Sequence, residues 1–195
     1  MPDGTLVWLN SGSSLIYSNK YGKGNREVKL SGEAYFEVKK GPKKFIVQIN
    51  GYSVTVKGTK FNVSAYSDDQ LLTTTLLEGR VEFNYMQGSL EMAPGETMEM
   101  NLKTNSIMRK KTGQSVNSWT RNRLEYGNIE LEELLKKLSR EYARTILLDG
   151  DSLKKQSFSI SIDTNKDLAD VLNAIAETIP IKIINQNDTI KLKPI

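Results

Sequence analysis

The sequence predicts an all-β N-terminal domain, built as a sandwich, a roll or a short solenoid, followed by a small α+β domain. Two observations carry this prediction. From Thr5 to Met108, apolar and polar residues alternate in short runs separated by turn signals, as in strands with one buried face. After Gly113, leucine and isoleucine recur at intervals of three and four residues, as in amphipathic helices. We therefore place the two domains at 1–113 and 114–195.

Alternation predicts the strands of the first domain one after another. Ala34, Phe36 and Val38 alternate with polar residues or tyrosine, so one face of this strand is expected to be buried. The same alternation recurs at 45–49, 54–56, 61–65 and 81–83. Many short strands separated by turns are typical of the three β architectures named above.

Residue type indicates two of the turns in the first domain. The Asn-Gly pair at 50–51 lies between two alternating runs and predicts a tight hairpin. The Gly-Pro pair at 41–42 predicts a second hairpin turn. Four lysines flank this second pair: Lys39, Lys40, Lys43 and Lys44.

Leucine spacing predicts the first helix of the second domain, and the same spacing returns 37 residues later. The first stripe, at positions i, i+3, i+4 and i+7, consists of Leu131, Leu134, Leu135 and Leu138. The second stripe consists of Leu168, Val171, Leu172 and Ile175. Thr164 or Asn165 is the expected N-cap of the second helix. The repeated stripe predicts one structural unit used twice.

Short apolar runs on either side of each helix predict strands. They lie at 124–126 and 145–148 around the first helix, and at 158–162 and 181–184 around the second. A last strand at 189–192 is expected to pair with 181–184 through the polar turn between them. The predicted domain is a doubled βαβ unit, with both helices covering one face of a single small sheet.

Composition excludes several classes of enzyme. The 195 residues contain no histidine and no cysteine, which removes Ser-His-Asp and Cys-His mechanisms, zinc sites of imidazole or thiolate, and disulfides. Glu33 and Glu37 share a strand face but lie roughly 13 Å apart, too far for a glycosidase pair. The acidic pairs at 68–69 and 149–151 are typical of turns. We expect no catalytic residue, cofactor or metal site.

The formal net charge is +4. One basic cluster surrounds the Gly-Pro pair, and a second comprises Arg109, Lys110 and Lys111. Nucleic-acid binding requires basic residues on one face, interleaved with aromatic residues for base stacking. These clusters instead lie in an expected turn and an expected linker, so no nucleic-acid partner is predicted.

The sequence contains neither a membrane-spanning run nor a leader. No apolar stretch approaches the roughly 20 residues that a spanning helix needs. Met1 leads directly into Pro2, Asp3 and Gly4, without the charged and apolar regions of a signal peptide. We expect the chain to be a fragment of a longer protein, and whether Met1 is native is left open.

Five segments of the first domain, taken in order, resemble the FecR family of extracytoplasmic anti-sigma regulators. The first is DGTLVWLN at 3–10, followed by LSGEAYFEV at 30–38 and VTVKGTKFNVSAY at 54–66. TTLLEGRV at 74–81 and PGE at 94–96 complete the series. Each segment alone is weak, whereas five in this order are specific.

The second domain resembles the C-terminal domain that often accompanies FecR domains. Trp119, Tyr126, the helix at 131–138 and the strand beginning at Phe158 carry this likeness. Its doubled layout is also similar to the short N-terminal domain of secretins and TonB-dependent transporters.

The resemblance implies a role, a location and partners. Family members are single-pass inner-membrane proteins whose cytoplasmic segment binds an extracytoplasmic-function sigma factor. Their periplasmic part receives a signal from the signalling domain of a TonB-dependent outer-membrane transporter. This chain is expected to be that periplasmic receiver, without the sigma-binding segment and the membrane helix. It would therefore contact the sigma factor and the membrane only through those segments.

Strand addition at a free sheet edge, or docking in the groove between the two domains, is the expected mode of partner binding. We predict that the last strand is such an edge, with Ile190 and Leu192 facing inward. The candidate partner-binding residues on it are Thr189, Lys191 and Lys193.

Two other functions stay open at this point. A carbohydrate-binding module of the cell envelope would expose aromatic residues on one sheet face, and its candidates are Tyr17, Tyr21, Tyr35 and Tyr66. A structural assembly module, like the ring-forming domains of secretins, rests on the second domain alone.

Overall fold

The computed structural model describes residues 1–112 and 116–195. The chain forms two compact units, 1–117 and 118–195. The predicted domain boundary, between 113 and 114, lies outside the described residues.

The first unit consists of strands joined by turns. Its strands are β1 (Leu6–Leu9), β2 (Ser14–Tyr17), β3 (Arg26–Glu37), β4 (Phe45–Ile49), β5 (Tyr52–Val56), β6 (Lys60–Ala65), β7 (Leu71–Glu78), β8 (Val81–Tyr85), β9 (Gly88–Met92), β10 (Glu96–Asn101) and β11 (Ile107–Lys111). They form one sheet in the order β11-β10-β7-β6-β3-β4-β5-β8-β9, with β1 and β2 paired to β3.

Strand β3 belongs to both halves of this sheet. Its start pairs with β2 and, in parallel, with β4. Its end pairs with β1 and β6. The sheet curls about this long strand, so that both halves share one core. Ring contacts join Phe36 to Phe45 of the other half (5.8 Å between centroids) and to Phe61 of its own half (4.9 Å).

Gly32 lies where β3 passes from one half to the other. Its φ of +93° is a conformation that side chains disfavour. A Cβ at this position would lie 2.8 Å from the Cα of Ser13. The Ser13 hydroxyl in turn accepts a hydrogen bond of 2.8 Å from the backbone N–H of Glu33. Glycine is therefore required here by both backbone conformation and close approach.

The predicted hairpin at 50–51 is confirmed. β4 and β5 pair antiparallel around Asn50 and Gly51, whose φ values are +39° and +89°. Two consecutive positive φ values are the geometry that an Asn-Gly hairpin adopts.

The hairpin expected at the Gly-Pro pair, 41–42, is wrong. β3 and β4 are parallel, so the segment 38–44 is a crossover that carries the chain back to the level of Arg26. The pairing fails as a hairpin because Phe45 aligns with the start of β3 rather than with its end. The Gly-Pro pair indicates a turn by its residue types, but these residue types do not determine which strand pairs with β4.

The second unit contains the predicted elements in the predicted order. After a 3₁₀ turn at Ser118–Arg121, they are β12 (Arg123–Glu130), α1 (Leu131–Glu141), β13 (Thr145–Leu148), a short helix α2 (Asp151–Lys154), β14 (Ser157–Asp163), α3 (Leu168–Ala176), β15 (Ile181–Gln186) and β16 (Thr189–Pro194). The fold class, an all-β region followed by a small α+β region, is confirmed.

The arrangement of these strands differs from the expected single sheet. β12 pairs with β14, so the first strands of the two βαβ repeats lie together. β16 lies between β13 and β15 in a separate three-stranded sheet. The strands before and after each helix therefore belong to different sheets. Helix α3 also begins differently, since its N-cap is Asp167, without a side-chain cap, rather than Thr164 or Asn165.

Both leucine stripes are buried in one core with the two sheets. Leu131, Leu134 and Leu138 are fully covered, and Leu172 and Ile175 of α3 nearly so. The same core includes Ile146, Ile190 and Leu192 of the three-stranded sheet. The predicted inward orientation of Ile190 and Leu192 is confirmed.

We predict that Gly32→Ala destabilises the first unit more than Gly51→Ala does. Both positions have positive φ, which costs a side chain about 1–2 kcal/mol. Only at Gly32 does the new Cβ also collide with backbone, so the total loss should be about 3 kcal/mol. Urea unfolding of both variants measures the difference. Equal losses would show that Ser13 moves aside without cost.

Candidate interaction surfaces

A buried arginine organises one end of the first unit. Arg26 is 5 % exposed, and its guanidinium lies over the ring of Phe45. It donates to the carboxylate of Asp3 (2.8 Å) and to the carbonyls of Lys39 (2.7 Å), Lys43 (2.8 and 3.2 Å) and Lys57 (3.3 Å). These bonds use all five N–H donors of the guanidinium. Arg26 is therefore a structural residue with no donor left for a ligand.

Asp3 is the counter-charge of this arginine. Its carboxylate accepts hydrogen bonds from Arg26 and from the backbone N–H and hydroxyl of Thr5. Burial alone would raise the pKa of Asp3, but these hydrogen bonds outweigh burial, and the pKa lies below its usual value. Burial and the nearby Asp3 together raise the pKa of the Tyr21 phenol. The carboxylate is thus held ionised beside the guanidinium.

The crossover segment forms one wall of an open pocket of about 340 Å³ beside this pair. Its lining includes Pro2, Tyr21, Lys39, Lys40 and Lys43. The ammonium group of Lys43 donates to the carbonyls of Gly22 and Lys23 and so joins the crossover to the loop before β3. The rim of the pocket is basic. Its floor is formed by Arg26, whose guanidinium donors are all already hydrogen-bonded.

The second surface is the face of the three-stranded sheet that points away from the helices. The predicted partner-binding residues Thr189, Lys191 and Lys193 all lie on this face, opposite the buried Ile190 and Leu192. Lys191 stands beside Leu147 of β13 and Ile184 of β15. Leu147 is 46 % exposed. We call this set, Leu147, Ile184, Thr189, Lys191 and Lys193, the open face.

The premise of strand addition at the last strand is wrong. β16 pairs in parallel with β13 and antiparallel with β15, so its backbone is bonded on both sides. An added strand needs unpaired backbone groups, and in this sheet only the outer strands β13 and β15 can offer them. The assignment of Thr189, Lys191 and Lys193 as partner-binding side chains stays a prediction.

The four candidate tyrosines do not share an exposed face. Tyr35 and Tyr66 are buried. The Tyr66 hydroxyl donates to the carbonyl of Ser11 at 2.8 Å, and that of Tyr35 donates to Glu37. Tyr17 is half exposed and packs against Tyr21. The aromatic platform that a sugar-binding face would need is therefore missing from these four residues.

The acidic residues that the sequence offered as catalytic or metal-binding candidates form hydrogen bonds and ion pairs within the protein. Glu33 accepts from the amide groups of Asn10 (2.8 Å) and Asn62 (2.7 Å). Asp149 pairs with Lys193, and this hydrogen bond lowers the pKa of Asp149. Asp151 pairs with Lys154. Across residues 1–112 and 116–195, His, Cys, Asp and Glu form no group of three that could hold a metal ion.

Sequence reasoning missed Arg26 and the exposure of Leu147. A signal for Arg26 was present, because it continues the buried alternation of Val28 and Leu30 by one step. A charged residue in that register needs internal partners. Leu147 gave no such signal, since its exposure depends on which strand lies beside β13.

Comparison with known proteins identifies the class. The family model described as FecR protein matches residues 1–82, and the model described as FecR, C-terminal matches residues 123–192. Two crystal structures of a proposed anti-sigma factor from Parabacteroides distasonis ATCC 8503 share this fold, with TM-scores of 0.91 and 0.90. In both cases the identity is 30 %, over all of this chain and 92 % of the other. A comparison with curated proteins finds no match.

The two family regions and the shared fold support an anti-sigma factor. The chain belongs to the FecR family. Among the residues that the structure describes, no helix has the length and apolar character needed to cross a bilayer.

We predict that Arg26→Met lowers the free energy of unfolding by about 3–5 kcal/mol, because it leaves Asp3 and three carbonyls without their buried donor. Arg80→Met is the matched control, since Arg80 and its partner Glu91 are both largely exposed. The control should change stability by less than about 0.5 kcal/mol. Denaturant unfolding followed by tryptophan fluorescence and circular dichroism measures both. A loss below 1 kcal/mol for Arg26→Met would contradict this role.

Asp3 should make stability depend on acid. Its folded-state pKa is lowered, so its contribution is present above the unfolded-state value of about 3.9 and is lost as the pH falls through the folded-state value. The free energy of unfolding should therefore fall more steeply below about pH 4 in the wild type than in Asp3→Asn. Urea titrations from pH 7 to pH 2.5 measure the slopes. Parallel slopes would mean that Asp3 titrates alike in both states.

Proposed function

We propose that this chain is the periplasmic signal-receiving region of a FecR-type transmembrane anti-sigma factor. It binds the signalling domain of a TonB-dependent outer-membrane transporter and thereby regulates an extracytoplasmic-function sigma factor and transcription. The sigma factor is contacted by a cytoplasmic segment, joined to this region by an inner-membrane helix. No nucleic acid, cofactor or catalytic step enters this function.

The observation that supports the proposal most is the agreement with the anti-sigma factor structures over the whole chain. Both units are shared, and the alignment covers 92 % of the other protein. Both family regions, at 1–82 and 123–192, occur in the same order. We keep the likeness of the second unit to the short N-terminal domain of secretins and TonB-dependent transporters as part of this proposal.

The open face of the second unit is the proposed contact with the transporter. It combines an exposed apolar side chain, Leu147, with Lys191 beside it and Lys193 and Lys182 opposite each other on neighbouring strands. An apolar centre within a charged rim is typical of protein-binding surfaces. A partner with an exposed apolar residue and acidic neighbours would complement it. Because β16 is paired on both sides, side chains rather than backbone would carry the contact.

The test is calorimetric titration of the chain with the signalling domain of the transporter encoded beside it. We expect 1:1 binding in the micromolar range or tighter. The double variant Leu147→Asp, Lys191→Glu should bind at least tenfold more weakly, since it removes the apolar contact and reverses the charge.

Lys155→Glu serves as the control, because Lys155 is exposed in the loop before β14 and lies outside the open face. It should bind like the wild type. If the wild type binds neither this domain nor those of sibling transporters, the proposed function is wrong. If it binds and the double variant binds equally well, the function stands and the contact lies elsewhere.

A further inference from the structure

The net positive charge of the chain lies entirely in its first unit. Residues 1–117 contain 15 of the 27 Lys and Arg residues and 11 of the 23 Asp and Glu residues, an excess equal to the whole net charge of +4. The second unit is balanced. The function proposed above uses the open face of the second unit and leaves the charge of the first unit without a role.

Five lysines of the first unit lie close together at one end of the curled sheet. Arg26 donates to the backbone carbonyls of Lys39, Lys43 and Lys57, so these three residues surround one buried cation. Lys40 follows Lys39 in the crossover, and the carbonyl of Lys23 accepts a hydrogen bond from Lys43. We call Lys23, Lys39, Lys40, Lys43 and Lys57 the basic end. All five are exposed.

The lysines of the basic end are not neutralised within the protein. Among the described residues, none of the five ammonium groups lies within ion-pair distance of a carboxylate. The neighbouring Lys44 and Lys60 differ, since they pair with Glu82 and Glu78. The carboxylate of Asp3, which lines the same pocket, is committed to Arg26. Among the described residues the charge of the basic end therefore has no counter-ion, and only the Lys43 ammonium is engaged, with the carbonyls of Gly22 and Lys23.

An aromatic side chain borders the basic end. Tyr17 is 48 % exposed and packs on Tyr21 at the rim of the pocket. Tyrosine beside lysine is typical of surfaces that rest in the headgroup region of a bilayer, because its ring is apolar and its hydroxyl is polar.

The first residues of the sequence lie at the same end. Pro2 and Asp3 line the pocket, and the amino group of Met1 donates to the carbonyl of Thr5 at 2.8 Å. The proposed function has its cytoplasmic segment on the N-terminal side, as the family resemblance implies, so the membrane helix would join the first unit at this end. The part of the first unit nearest the bilayer would then be its basic end.

We propose that the basic end docks the first unit on an anionic lipid surface, with the lysines on headgroup phosphates and Tyr17 at the interface. This inference rests on the proposed function, because only an anchored chain is held beside a bilayer. Docking would fix the orientation of the first unit relative to the membrane. The second unit, without net charge, is not attracted in this way.

Vesicle co-sedimentation of the full chain tests the proposal. Vesicles of phosphatidylcholine containing phosphatidylglycerol should bind the chain, and pure phosphatidylcholine should not. Each lysine near an anionic surface contributes about a fivefold factor, so the variant Lys23→Gln, Lys40→Gln, Lys57→Gln should bind at least tenfold more weakly. Raising the ionic strength should weaken wild-type binding through screening.

A variant of equal charge is the control. Lys103→Gln, Lys155→Gln, Lys166→Gln removes the same three charges from exposed positions outside the basic end. It should retain most of the binding. If both triple variants bind alike, net charge alone is responsible and the docking surface is overturned. Absence of binding to anionic vesicles by the wild type overturns it as well.

Two further results distinguish a lipid surface from other anionic partners. If inorganic phosphate displaces the chain from vesicles at an ionic strength where chloride does not, the pocket binds a small anion and the lipid surface is wrong. If the basic-end variant loses affinity for the transporter's signalling domain, the surface belongs to a protein partner instead. Unchanged affinity for that domain, with lost vesicle binding, supports the proposal. The same titration shows whether the proposed function fails independently.

Discussion

The first unit depends on one buried cation that closes a curled strand. β3 is twelve residues long, yet the guanidinium of its first residue, Arg26, binds the carbonyl of Lys39, just beyond its end. Burying a charge is costly unless every donor is satisfied. Here one carboxylate and three backbone carbonyls accept the hydrogen bonds of all five guanidinium donors. Arg26 in turn satisfies carbonyl groups of the crossover that would otherwise be buried without a donor. The parallel pairing of β3 and β4 begins at the same residue, Arg26.

The same interaction links the fold to its charge distribution. The carbonyls that accept from Arg26 belong to Lys39, Lys43 and Lys57, and the side chains of all three are exposed. The buried cation thus holds together the backbone segments that carry these surface cations. In a turn that is exposed to water, the backbone carbonyls can bond to solvent and need no buried donor. The crossover, by contrast, is fixed on one side by Arg26 and on the other by the bonds from Lys43 to the loop before β3.

Alternation predicted five of the eleven strands described in the first unit, and helical spacing predicted α1, α3 and the faces that they bury. They did not predict strand partners, since a strand with a period of two residues can pair on either side with any other strand. The Gly-Pro pair at 41–42 looked like a hairpin for this reason, and β16 looked like an edge although two strands enclose it. The candidate residues on β16 were placed on the correct, outward face by their alternation with Ile190 and Leu192. For Arg26, the only signal in the sequence was a charged residue at a position where the alternation predicts a buried side chain.

The central position of β16 changes the kind of recognition that this strand can offer. Strand addition uses backbone groups and tolerates many partner sequences. A face of side chains instead discriminates by shape and charge, because the partner must match both Leu147 and the lysines around it. In the proposed function, a receiver that responds to one transporter among several related ones would gain from such discrimination. With the proposed lipid docking, the two surfaces would act over different distances. Long-range, salt-sensitive attraction would act on the first unit, and short-range complementarity would select the partner on the second.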